Sequence, residues 1–169
     1  MELIAEPVDV LGINFYSRNT VSADGPCLTP AHVRQNSMGW EIHPPSFGHL
    51  LRWLRDDYSF DRYLITENGA AMADTVREDG RVADDDRLLY IRDHVLTLHA
   101  AIEDGCPVEG YLVWSFLDNF EWAWGYGPKF GIVEVDFDTQ KRIPKKSAEW
   151  FGHVARTNSV PLTPDETYG

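Results

Sequence analysis

The sequence predicts an α/β fold made of three consecutive strand–helix units on a parallel sheet, and three observations carry that expectation. Three short runs rich in β-branched and aromatic residues recur along the chain, each followed by a longer segment with helical spacing. Strands alternating with helices in this way argue for right-handed crossovers onto one parallel sheet. With 169 residues and three such units, the chain is too short for a closed (β/α)8 barrel, which needs about 250 residues. Periodicity alone leaves two architectures open: a small open sheet, or the end of a barrel whose remainder lies elsewhere.

The first strand is read over Val8–Tyr16, a nearly continuous apolar run around Gly12 and Asn14. From Ser17 to Pro45 the pattern breaks into Gly, Pro, Asn and Ser, a connection long enough to expect a functional loop, and it contains Met38-Gly39-Trp40-Glu41. Ser46 is expected to cap a helix through Phe47, Leu50, Leu51, Leu54 and Tyr58. The second strand, Arg62–Thr66, runs into Glu67, and Asn68-Gly69 is expected to release the chain into a turn with positive φ. A polar loop then leads to Asp84-Asp85-Asp86, acids suited to the positive end of a helix. That helix carries an apolar stripe of Leu88, Ile91, Val95, Leu98 and Ile102 and stops at Gly105-Cys106-Pro107. Val108–Leu117 is the third strand, Gly131–Ile143 a hairpin turning at Asp138-Thr139-Gln140, and a last helix passes through Trp150, Phe151 and Val154. Residues 1–158 are read as the structured unit and 159–169 as a loose tail.

Composition narrows the function. At 43% hydrophobic and 25% charged, the chain resembles a globular protein with a sizeable core. Its 27 acidic against 15 basic residues give a formal charge of −12, which argues against nucleic acid and anionic membranes and suits a neutral ligand. Cys27 and Cys106 lie far apart without metal-ligand spacing, and no leader or long apolar span is seen, so a reducing, cytoplasmic setting is expected. The opening Met1-Glu2-Leu3-Ile4 is compatible with an artificial or internal beginning.

Two segments carry chemistry. Glu67 follows a strand at the end where α/β sheets and barrels keep their active sites, which marks it as a reactive group. An isolated Glu-Asn-Gly would otherwise be a solvated turn. The stretch Trp114 to Tyr126 places large aromatics around Asp118 and Glu121. Indole faces stack on sugar C–H surfaces and carboxylates accept from sugar hydroxyls, so the pattern fits a neutral carbohydrate. The competing expectation makes Trp114, Phe116 and Phe120 core, and Trp122 and Trp124 surface packing; for Trp124 packing is preferred, for Glu121 and Trp122 contact.

Leu11-Gly12-Ile13-Asn14-Phe15-Tyr16, Met38-Gly39-Trp40-Glu41, Ile65-Thr66-Glu67-Asn68-Gly69, Asp118-Asn119-Phe120-Glu121-Trp122 and Lys129-Phe130-Gly131-Ile132-Val133 together resemble the ordered signatures of family 1 glycoside hydrolases, the β-glucosidases and their relatives. The resemblance covers nearly the whole chain. It implies the last three strand–helix units of a (β/α)8 barrel, incomplete alone, acting on a β-glycoside or monosaccharide, with no cofactor and no metal. It implies Glu67 as nucleophile, oriented by the Tyr16 hydroxyl. Asn14, Glu121, Trp122, Trp114 and Phe130 would bind or wall the sugar.

One departure matters. Retaining hydrolysis needs a second carboxyl about 5 Å from the first, and the family carries it in an Asn-Glu-Pro motif that this sequence lacks. Ala5-Glu6-Pro7 imitates it but precedes its strand, so Glu6 is read as a decoy, and Glu121 matches hydroxyl binding rather than acid/base work. The expected partner is a missing N-terminal barrel portion, or further copies of the chain covering its open edges. A non-catalytic sugar-binding or oligomerising half-barrel is the alternative. A flavodoxin-like domain is disfavoured because no strand leads into a Gly-rich phosphate loop.

Overall fold

The computed structural model describes residues 6–58 and 60–161. Three strands, β1 (Leu11–Asn14), β4 (Tyr63–Asn68) and β7 (Val108–Val113), form a parallel sheet in the order β1-β4-β7. Three antiparallel hairpins decorate it: β2 (Val21–Ser22) with β3 (Gly25–Pro26), β5 (Thr75–Val76) with β6 (Val82–Ala83), and β8 (Val133–Val135) with β9 (Arg142–Pro144). The helices are α1 (Pro44–Asp57), α2 (Asp85–Glu103) and α3 (Lys146–Thr157).

Sequential strand order with every crossover helix on one side separates this sheet from doubly wound folds, which place helices on both faces. One core joins Ile13, Phe15, Tyr63 and Ile65 to Phe47, Leu51, Leu98 and Ala101, under α1 and α2. A second joins Leu88, Tyr90 and Ile91 to Ile132, Val133 and Trp150, under α2 and α3. On the opposite face the cross-strand row is Gly12–Leu64–Gly110, where a Cβ at Gly110 would come 2.7 Å from Leu64 Cδ1. Farther along, Leu112 is 49% exposed. A parallel sheet is normally covered on both faces, so this uncovered face, with β1 and β7 as its edges, is what an incomplete barrel would present.

Several expectations change in detail. α1 starts at Pro44, not after Ser46. His43 is the N-cap, its Nδ1 accepting from Ser46 N–H at 3.3 Å, with prolines in the first turn where no N–H is needed. The strands are shorter than the apolar runs Val8–Tyr16 and Val108–Leu117, because β1 begins only where it pairs with β4 and the pairing of β7 with β4 ends at Val113. Both long connections contain a hairpin. The α2 stripe ends early, with Ile102 40% exposed. Of the expected tail, residues 162–169 lie outside the described residues.

Asn68-Gly69 is the most informative correction. Neither residue has positive φ, and Asn68 is the buried last residue of β4. Glu67 is therefore the penultimate residue of its strand. Gly69 is needed for proximity: a Cβ there would stand 1.6 Å from the Trp114 carbonyl oxygen.

Candidate active site

The C-terminal ends of the three parallel strands converge on Glu67. The pairing of β4 slips against both neighbours, between Ile13 and Asn14 on one side and between Ile65 and Asn68 on the other. Such a bulge re-aims side chains. Asn14 pairs with Glu67, while the Thr66 hydroxyl donates to Asn14 Oδ1 at 2.6 Å.

Tyr16, two residues past β1, donates its hydroxyl to Glu67 Oε2 at 2.5 Å. Burial first, then this hydrogen bond and the charge of Glu67, push the Tyr16 phenol far above its ordinary range. The phenol therefore stays a proton donor to the carboxylate at any working pH. Its ring stands edge-on to Trp40 at 5.8 Å and to Phe130 at 6.2 Å. Phe130 is buried, so the Tyr16 ring has an apolar wall on that side.

Asn68 is the hub behind the pair. Its Nδ2 donates to the Phe15 carbonyl at 2.7 Å and to the Tyr90 hydroxyl at 3.2 Å, and its Oδ1 accepts from Tyr111 at 2.6 Å. The Tyr90 hydroxyl in turn donates to the Tyr16 carbonyl at 2.8 Å. All of these groups are fixed from β4, α2 and β7, so the Tyr16 backbone is held from below while its hydroxyl holds Glu67. Sequence reasoning missed this role for Asn68, whose only local signal was the turn-like dipeptide.

The Trp114 backbone N–H donates to the Asn68 carbonyl at 2.8 Å, and the residue is half-buried beside Gly69. Glu121 begins a tight turn, its N–H donating to Gly125 O at 2.7 Å. Burial and then the negative charge of Glu67 raise the Glu121 carboxyl above the usual carboxylate range. Trp122 has φ of 43° and is 81% exposed. Phe116, Phe120 and Trp124 are also exposed, at 67%, 57% and 67%, so the core reading of the two phenylalanines fails and Trp124 lies at the surface. The structure thus gathers Glu67, Tyr16, Asn14 and Phe130, places Glu121 within reach of the Glu67 charge, and leaves Trp122 facing solvent.

Two other carboxylates need placing. Glu41 is gripped by Arg18 through two hydrogen bonds of 2.8 Å, which hold it below the usual range and make it a poor proton donor. Glu6 is exposed and precedes β1, whereas Glu67 lies near the C-terminal end of β4. Among the described residues, carboxylate oxygens of Asp74, Asp118 and Glu134 lie within 4.8 Å of one another, close enough for a metal. Lys145 Nζ already occupies the space between them, 2.5 Å from Asp74 and 3.0 Å from Asp118.

Residues 1–160 match the family model for glycosyl hydrolase family 1. The chain is 44% identical over 167 residues to the 1,4-beta-D-glucan glucohydrolase of Thermotoga neapolitana and equally to the beta-glucosidase A of Thermotoga maritima, covering 95% of this chain and 37% of each relative. It superposes on the structure of the Thermotoga maritima beta-glucosidase in complex with glucoimidazole with a TM-score of 0.90 at 42% identity, over 94% of this chain and 37% of that one. The chain therefore spans little more than a third of the relatives it matches, and its sheet is a part of their TIM barrel. Motif order, strand order and overall superposition agree: the chain belongs to glycosyl hydrolase family 1.

Proposed function

We propose that this chain carries the nucleophile half of a retaining β-glucosidase site and that its acid/base carboxyl comes from elsewhere. The observation supporting this most strongly is the Tyr16–Glu67 hydrogen bond at the C-terminal ends of β1 and β4. A carboxylate that must attack an anomeric carbon has to be ionised, aimed and partly shielded from water. Tyr16 aims it, and Phe130 and Trp40 shield it.

In this reading Glu67 forms a covalent glycosyl-enzyme, which water later hydrolyses. Glu121, kept protonated to a higher pH than a free glutamate, and the Trp122 indole N–H grip outer hydroxyls of the sugar. Asn14 supports the ring near the reacting carbon, Trp114 lies under it, and Phe130 walls the pocket. Residues 1–158 act as one barrel-derived unit, and the natural complement is an N-terminal portion bearing the remaining strands and the Asn-Glu-Pro acid. Association with further copies could also cover the edges of β1 and β7, yet six strands from two copies fall short of the roughly eight that give a packed barrel interior. A non-catalytic sugar-binding module is the second reading, and the exposed Trp122 and Trp124 favour it.

Turnover separates the two. The chain alone should not hydrolyse cellobiose at a measurable rate, and should act only feebly on aryl β-glucosides whose leaving groups need no protonation. Sustained cellobiose hydrolysis by the pure monomeric chain, abolished in Glu67→Gln, would mean that the second carboxyl is already present.

A further inference from the structure

Beneath the Phe130 wall lies a buried cluster of charges that the reaction does not use. Three cations, Arg87, Lys129 and Lys145, face four carboxyl groups, Asp74, Asp84, Asp118 and Glu134. Arg87, Lys145, Asp84 and Asp118 have side chains no more than 1% exposed. Four negative charges against three positive ones, with only Lys129 and Glu134 partly reaching water, is a costly arrangement.

Most of the carboxyl oxygens are well served. Asp84 accepts from Ser147 N–H at 2.8 Å, the Ser147 hydroxyl at 2.5 Å and Arg87 at 2.6 Å. Asp74 accepts from Arg87 at 2.8 and 3.0 Å and from Lys145 at 2.5 Å. Asp118 Oδ1 accepts from Gly131 N–H at 2.8 Å and from Lys145 at 3.0 Å. Asp118 Oδ2 is buried with no donor, and the nearest ammonium, that of Lys129, stands 3.7 Å away. The carboxyl beside it is Glu134, whose own contacts are Lys129 at 3.1 Å and Lys145 at a loose 3.6 Å.

We infer that Glu134 holds a proton and donates it to Asp118 Oδ2, and that this shared proton makes Asp118 a positioning residue for the Phe130 wall of the site. One proton satisfies the orphan oxygen and leaves three charges of each sign. Burial first, then the neighbouring Asp118 carboxyl, raise the Glu134 carboxyl above its ordinary range, in keeping with carboxylate oxygens that lie within 4.8 Å of each other.

The link to the site is short. Asp118 Oδ1 holds the Gly131 N–H, and a Cβ on Gly131 would come 2.2 Å from Asp118 N, so the two segments are locked together. The residue before Gly131 is Phe130, whose carbonyl accepts from Ser115 N–H at 3.2 Å and whose ring abuts Tyr16. Arg87 secures the same segment by donating to the Lys129 carbonyl at 2.6 Å. Removing the proton leaves Asp118 and Glu134 both anionic at close range and loosens the seat of Phe130. This inference rests on the proposed role of Glu67 only in its last step, and its test needs no turnover.

The test is a side-chain carboxyl 13C NMR titration of the full chain, with the Glu134 signal assigned by its loss in Glu134→Gln. Glu134 should titrate well above the ordinary glutamate range, Asp118 should report the same midpoint, and the Tyr16 ring signals should move with it. In Glu134→Gln, where the amide can donate at every pH, the part of the Tyr16 shift that follows the Glu134 midpoint should disappear, leaving only the movement caused by Glu121 beside the ring. Because the folded-state value is raised, the stabilisation is complete below the unfolded value and is lost as pH rises through the folded one. The thermal midpoint should accordingly fall across that range in the parent chain and fall less in Glu134→Gln, where the raised Asp84 and Glu121 carboxyls still contribute. Should that variant not fold, Asp118→Asn provides the second arm, with the Glu134 midpoint dropping back toward the ordinary range. A Glu134 midpoint at the ordinary value, Tyr16 signals indifferent to it, or an Asp118→Asn variant with Glu134 unchanged would each overturn the proposal. So would added Ca²⁺ or Mn²⁺ shifting Asp74, Asp118 and Glu134 together, which would make the cluster a cation site.

Discussion

Mixed with a separately expressed N-terminal portion of a related enzyme carrying an Asn-Glu-Pro acid, the chain will hydrolyse unactivated β-glucosides faster than alone by about 10² to 10⁴, the usual contribution of general acid–base assistance. Restored sugar contacts add to this. The gain should vanish when Glu67→Gln replaces the nucleophile, because an amide cannot form the glycosyl-enzyme. Steady-state rates on cellobiose and on an aryl β-glucoside, with each partner alone as control, measure it. A complemented rate that is indifferent to Glu67→Gln would remove Glu67 from the reaction.

The largest effect on stability is expected at Gly69. Its missing side chain is what lets the end of β4 pass the Trp114 carbonyl, and an alanine Cβ would sit 1.6 Å from that oxygen. Both partners are backbone, and no flexible side chain can yield. Overpacking in a tight core costs about 1–3 kcal/mol, and a backbone clash of this depth should reach the upper end or beyond, lowering the melting temperature by about 10 °C for a chain of this size. Gly152→Ala is the matched control, since Gly152 lies within α3 and its added Cβ meets only the end of the Arg156 side chain, at 3.3 Å. There the gain in helix propensity, up to about 1 kcal/mol, should leave the chain as stable as before or more so. Urea unfolding followed by circular dichroism compares the two, and a Gly69→Ala chain as stable as the parent would show that the Trp114 carbonyl is free to move.

Much of this architecture is visible in local pattern. The three strands and three helices follow from apolar runs and helical spacing, and their sequential order follows from the short handedness rules of βα units. Glu67 stands out because an apolar run gives way to a carboxylate, although the strand itself continues through Asn68. What local pattern cannot show is which distant groups meet. Tyr16 and Glu67 are 51 residues apart, and Lys145 and Asp74 are 71 apart. Asn68 reads as a turn residue because its neighbour is glycine, although its actual partners are Phe15, Tyr90 and Tyr111. Trp40 belongs to a motif yet gains a role only when its ring is seen against Tyr16 and Phe130. Phe116 and Phe120 read as core because they are large and apolar, but among the described residues they stay 67% and 57% exposed.

The nucleophile assignment is open to direct chemical capture. An activated 2-fluoro β-glucoside destabilises the oxocarbenium-like transition states, while its good leaving group still allows the first displacement, so the covalent intermediate accumulates. In the complemented enzyme, peptide mapping by mass spectrometry should find one glycosylated residue, Glu67. Glu121 is the nearest competitor by charge, but a group that grips outer hydroxyls is not in line with the anomeric carbon. A label on Glu121 or Glu6, with Glu67 unmodified in an active complex, would contradict the account.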